Sequence, residues 1–122
     1  MAYDLHIVRT TDWTQASQAP ITKQQVDDLI AGDPELKWST RDYVDMNDKT
    51  GATTRYYMIC WRGAPCFWWY RDKIECSSPD EPQQLKLTQI ARALNAFVVG
   101  DDGERYESRK NLFGKQKVLV ID

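Results

Sequence analysis

Hydrophobic and polar positions alternate with a period of two at the start of the chain. Tyr3, Leu5 and Ile7 fall on one face and Asp4 and His6 on the other, which predicts a half-buried strand over residues 3–9. The polar stretch that follows carries one large aromatic, Trp13, and ends at Pro20, so it reads as a loop. At Thr22 the pattern turns helical. Thr22 offers an N-cap, Gln25 reaches back three residues later, and Val26, Leu29 and Ile30 make a narrow apolar stripe that stops at Gly32 and Pro34.

Two strands are predicted next, over residues 36–45 and 53–62, joined by a polar loop at residues 47–51. A turn at residues 62–65 returns the chain as an aromatic strand over 66–71. Ser78, Pro79 and Glu81 then suit the cap, first position and capping-box position of a second helix, along which Leu87, Ile90, Ala91 and Leu94 repeat at helical spacing up to a left-handed exit at Asn95. Residues 96–99 are a short apolar strand, residues 100–103 a tight turn, and residues 118–121 a terminal strand that needs a sheet, a lid or a second subunit to cover it.

The order strand-helix-three strands-helix-strand-strand predicts an α+β fold, a mainly antiparallel sheet with two helices packed on it. No repeat or linker divides the chain, so a single domain over residues 1–122 is expected, with 107–122 as a C-terminal extension strand.

Composition narrows the function classes. Sixteen basic and eighteen acidic side chains give a net charge of -2, without the positive field that phosphate-backbone binding requires, so nucleic acid is not expected as a partner. Trp68 and Tyr70 beside Arg62 and Arg71 would suit base stacking, but Arg109, Lys110, Lys115 and Lys117 are too few to supply a basic groove and read as a solvated segment. No apolar run is long enough to cross a bilayer and no signal peptide is legible, so no membrane association is expected and the chain reads as cytoplasmic. Three cysteines, Cys60, Cys66 and Cys76, form no C-x-x-C and fit buried thiols in a reducing compartment.

Catalytic equipment is sparse. His6, the single histidine, sits on the polar face of the first strand with no evident nucleophile nearby, and reads as a solvated or hydrogen-bonded surface residue. Asp101, Asp102 and Glu104 would suit a hard cation, yet the glycines around them frame a turn that explains the aspartates better. Residues 45–56 fail the calcium-loop template, with Lys49 at the fifth place and Tyr56 at the twelfth. Asp80 and Glu81 are explained by helix capping, and no Gly-rich phosphate loop occurs. No cofactor and no metal is therefore expected, and the chain reads as a non-enzyme.

The most informative stretch is residues 59–61 followed by residues 67–70. Alternation sends Phe67 and Trp69 to one face of a strand and Trp68 and Tyr70 to the other. Either the strand is central and covered on both sides, or one face is an aromatic binding patch.

In residues 3–5, 33–36 and 78–106 the chain resembles a family of small bacterial proteins. The likeness rests on Tyr3-Asp4-Leu5, Asp33-Pro34-Glu35-Leu36, Pro79-Asp80, Ile90-Ala91, Leu94, Gly100-Asp101-Asp102-Gly103-Glu104 and Tyr106. Proteins of that kind resemble immunity proteins that protect a cell from its own secreted toxin. The resemblance implies a protein partner, a cognate toxin, and supplies no binding residue. From the residues themselves the expected partner-binding set is Trp61, Trp68, Tyr70, Asp101, Asp102 and Glu104. Two other readings stay open: a small-molecule-binding or enzymatic domain whose pocket uses the same aromatics, and a homodimer joined through residues 118–121.

Overall fold

A computed structural model of the chain describes residues 3–121. Its strands are β1 (Asp4–Val8), β2 (Leu36–Asn47), β3 (Thr53–Trp61), β4 (Ala64–Tyr70), β5 (Lys73–Ser77), β6 (Phe97–Gly100), β7 (Arg105–Lys110) and β8 (Gln116–Ile121). The helices are α1 (Lys23–Ala31) and α2 (Glu81–Ala93), and Trp13–Gln18 is a short 3-10 turn. The strands form one sheet in the order β2-β3-β4-β5-β1-β6-β7-β8, and every neighbouring pair is antiparallel. The first strand of the sequence thus lies inside the sheet, between β5 and β6, and the α+β class with a mainly antiparallel sheet is the one observed.

Two strands are added to the predicted order. β5 follows β4 through a two-residue turn at Arg71 and Asp72, whose φ angles are 49° and 69°. Both central residues lie in the left-handed region that a type I′ hairpin turn demands, but neither is the glycine or asparagine that announces such a turn. The preceding hairpin uses the same geometry with a visible marker, Arg62-Gly63 at 52° and 84°. β7 has the highly charged sequence RYESRK and pairs along its whole length with β8. Of the predicted 107–122 extension, the described residues 107–121 are therefore most of a hairpin rather than one strand.

Both capping boxes form, one of them two residues from its predicted place. Thr22 caps α1 and Gln25 closes the box, as predicted. At α2 the cap is Asp80, whose side chain accepts from Gln83 N while Gln83 reaches back, and Pro82 occupies the first turn. Ser78 stands before the helix with φ 45°. Asn95 has φ 53° and ends α2 as predicted.

Both helices cover the same face. Leu5, Ile7, Ile59, Phe67, Ile74 and Val98 of the sheet pack with Val26 of α1 and with Leu87, Ile90 and Leu94 of α2 in one apolar core. Burial of this kind supplies most of the folding free energy, at roughly 25 cal/mol per Å² of apolar surface removed from water. Arg9 ties the layers together by donating to the carbonyl of Leu94 at the end of α2, to Pro20 O and to Gln25 Oε1. Lys86, 5% exposed, bonds Asp33 at 2.7 Å and Glu35 at 3.0 Å, fixing α2 to the entry of β2. No helix among the described residues is long and apolar enough to cross a membrane.

β2 and β3 pair in register from Leu36 to Trp38 and again from Tyr43 onward, with residues 39–42 bulged out between. Ser39 organises the bulge: its hydroxyl accepts from Arg41 N and Asp42 N and donates to Asp42 Oδ2.

Candidate functional site

Period-two alternation gives the sheet a second face, the one away from the helices. Cross-strand register aligns Met58, Trp68, Glu75, His6, Val99 and Arg105 in one row across β3, β4, β5, β1, β6 and β7. Side chains directly opposite in an antiparallel pair share a face and touch. Tyr70 and Lys73 form the next rung between β4 and β5.

At the centre of this face lies a polar chain. His6 Nε2 is 2.8 Å from Asp101 Oδ1, and His6 Nδ1 is 3.0 Å from Lys73 Nζ. An ammonium can only donate, so Nδ1 accepts and Nε2–H donates to the carboxylate. Asp101 Oδ2 accepts from the backbone N–H of Asp4 at 3.0 Å. Glu75 stands 3.6 Å from Lys73 and 3.7 Å from His6.

Aromatic rings roof the chain. Trp13 lies on His6 with ring centroids 4.2 Å apart and planes within 4° of each other, and its indole donates to Asp101 O. Asp12 holds Trp13 in place by capping the 3-10 turn. Lys73 Nζ lies 4.6 Å from the Tyr70 ring centre, a cation–π contact. Tyr70 in turn stacks on Trp68 at 4.0 Å.

Burial and charge set the protonation states. His6 is 1% exposed and Lys73 5%. Desolvation pushes the His6 pKa below its ordinary value, and the Lys73 cation pushes the same way against the hydrogen bond to Asp101. Desolvation also lowers Lys73, with Glu75 opposing. Burial alone would raise Asp101, but the Asp4 N–H and His6 outweigh it and hold this carboxyl below the usual range. Tyr70 is raised by desolvation and by the neighbouring Glu75 carboxylate.

His6 is thus no surface residue. Its polar-face position was legible, but the cover comes from Trp13, a loop residue with no sequence signal for where it would dock. Lys73 and Glu75 were missed with β5 itself. A lysine in a stretch with no strand signal carries no hint that it will be buried.

The predicted binding residues divide. Trp68, Tyr70 and Asp101 meet around His6 and Lys73. Asp102 and Glu104 gather beside them on Tyr3, whose hydroxyl donates to Glu104; that bond is the main cause of its raised pKa. Gly100 makes the room, since a Cβ there would fall 1.4 Å from Glu104 Oε1. Trp61 does not join them. It packs on the helix side against the core, with Nε1 3.4 Å from Glu35 Oε1 and Arg62 over its ring.

The aromatic strand is covered on its helix side and half-covered on the other. Phe67 is fully buried under the helices and Trp69 is pinned there by an indole bond to Ile21 O. Trp68 and Tyr70 are half-buried on the opposite face. The Trp68 indole N–H is shielded and has no acceptor among the described residues. An unpaired buried donor of this kind typically costs about 1–3 kcal/mol.

Two of the thiols are quiet. Burial pushes Cys66 up to about 11 and Cys76 up to about 12, so both are protonated at neutral pH.

Searches against models of protein families, against curated proteins and against solved structures returned no match to this chain.

Proposed function

We propose that the chain is a non-enzymatic, immunity-type protein of the cytoplasm that neutralises a basic cognate toxin by covering it with the helix-free face of its sheet. The observation that carries this reading is the half-buried Trp68–Tyr70 stack on the same face as Asp4, Glu75 and Asp101, with Asp102 and Glu104 farther along that side on Tyr3. Stacked aromatics give rigid contact area, and carboxylates around them speed encounter with a basic surface. The same face contains the chain's one histidine and a lysine of lowered pKa. Both are closed to solvent and already bonded to each other, which favours an organising role over proton transfer to a substrate.

A growth-rescue screen against cloned secreted-toxin domains tests the reading. Co-expression of this chain should restore growth against one basic domain. Trp68→Ala and the charge reversal Glu104→Lys should each abolish rescue while leaving the thermal transition within a few degrees of wild type. Rescue that survives both substitutions would contradict the proposal.

A second reading is favoured by the C-terminal hairpin. Leu112 and Phe113 at its tip are 99% and 88% exposed, Leu119 and Val120 are exposed on β8, and β8 is an edge strand with one unpaired side. Two copies joined edge to edge through β8 would cover part of this surface. Mass measurement in solution distinguishes the two: a dimer that Leu119→Lys dissociates supports self-association, and a wild-type monomer at high micromolar concentration rules it out.

A further inference from the structure

A cavity lies beside the bulge in β2, apart from the His6–Lys73 cluster. Four residues of β2 span the place of a single β3 residue, and beneath them lies a cavity of about 460 Å³ between the sheet and the start of α1. Its walls are the rings of Trp38, Tyr56, Tyr57 and Trp69. That volume falls within the range of preformed small-molecule pockets, and strand bulges are over-represented beside functional sites.

The hydrogen bonds around the cavity specify what it takes. Both indole N–H groups are already committed: Trp38 donates to Asp27 Oδ1 at 2.7 Å and Trp69 donates to Ile21 O at 2.8 Å. Each bond fixes a ring and leaves its hydrocarbon surface to line the walls. Tyr56 packs at a tilt against Trp69 with centroids 5.8 Å apart, so the rings brace one another without a ligand. Such walls select a flat aromatic group.

The lining includes two cations and no carboxylate, Lys23 and Arg55, both exposed. Arg55 is clamped by Asp45 at 2.8 and 3.1 Å and lies 3.7 Å over Tyr43. Lys23 is held only loosely by Asp27 at 3.3 Å, and its ammonium stands 5.3 Å from the Trp38 ring centre. It is the cation with freedom to turn to an incoming anion. We propose that this cavity is a binding site for a planar aromatic carboxylate, with the ring among Trp38, Tyr57 and Trp69 and the carboxylate at Lys23. The site opens toward α1 on the helix side of the sheet and meets the partner surface proposed above only where Tyr56 packs against Tyr70.

The probe is 1-naphthoate, with 1-naphthylmethanol and 1-naphthylmethylamine as uncharged and cationic counterparts, titrated while the tryptophan indole N–H signals are followed by NMR. A ligand of this size should bind with Kd on the order of 0.1–1 mM. The expected result is saturable movement of the Trp38 and Trp69 signals, strongest for the carboxylate. Lys23→Glu should weaken naphthoate at least fivefold while leaving the alcohol within twofold. Tyr57→Ser, at an exposed position, should weaken all three. Absence of saturation, movement confined to Trp13 and Trp68, equal affinity for the amine, or naphthoate binding unchanged in Lys23→Glu would each overturn the assignment.

Discussion

The two faces of this sheet are made by the same strands, and neighbouring residues lead opposite lives. Phe67, Ile74 and Ile7 point to the helices and are buried among hydrocarbon. Trp68, Glu75 and His6, their sequence neighbours, form a row of rings and charges on the other side. The first face needs only apolar volume, while the second is held by direction: each donor must find its acceptor. A face built the first way stabilises a fold, whereas one built the second way arranges groups in space, and its carboxylates and rings are the ones the proposed protein partner would meet.

Phe67→Ala should have the largest effect, a loss of about 3–5 kcal/mol in urea unfolding, because a fully buried ring leaves a cavity in close-packed surroundings. On the polar face the corresponding change should be smaller. Asp101→Ala strips the acceptor from the Asp4 N–H and from His6 at once, and a loss of about 2 kcal/mol is expected. If the second loss equals the first, the contrast between the faces fails.

The faces should also differ in pH response near neutrality, since the one histidine lies on the polar face, while Asp33 and Glu35 on the helix side, lowered by their bonds to Lys86, respond only in acid. His6 is held neutral, so on acidification the unfolded chain takes up a proton near pH 6.5 that the folded chain refuses until lower pH. Stability should therefore decline as pH falls through about 6.5, and a further decline should follow in acid as Asp101, together with Asp33 and Glu35 of the helix side, is protonated out of its lowered pKa. His6→Gln should remove the first decline and keep the second. A pH profile identical to wild type would show that His6 is solvated in solution.

The helix side was the more legible. Spacing alone located Val26, Leu29 and Ile30, and Leu87, Ile90 and Leu94, because an apolar stripe needs no partner to be recognised. The Thr22–Gln25 box was equally plain. The polar face was legible only in fragments: Trp68 and Tyr70 were placed on a common face and Asp101 in a turn. What joins them depends on β5, which an Arg71-Asp72 turn without glycine concealed, and on Trp13, which a 3-10 turn swings over His6. Trp61 falls on the opposite face from Trp68 and Tyr70, which the distance between aromatic residues along a chain does not reveal. The α2 cap slipped from Ser78 to Asp80 because Ser-Pro-Asp-Glu-Pro offers two overlapping boxes, and Gln83 completes the later one.

The smallest effect sharpens that last point. Asp80→Ala should cost about 1 kcal/mol and Ser78→Ala only a few tenths, read as shifts in thermal midpoint. The reverse order would return the cap to Ser78.

The central claim is that the helix-free face meets the partner, and a hydrogen-exchange and carboxyl-footprinting comparison of the free chain with its complex with the rescued toxin domain tests it most directly. Protection should concentrate on β4 and β5 and on the carboxyl groups of Asp102 and Glu104, with β2 and the Trp38 cavity unchanged. Protection centred on the α1 and α2 surfaces, with Asp102 and Glu104 still freely modified, would contradict the account.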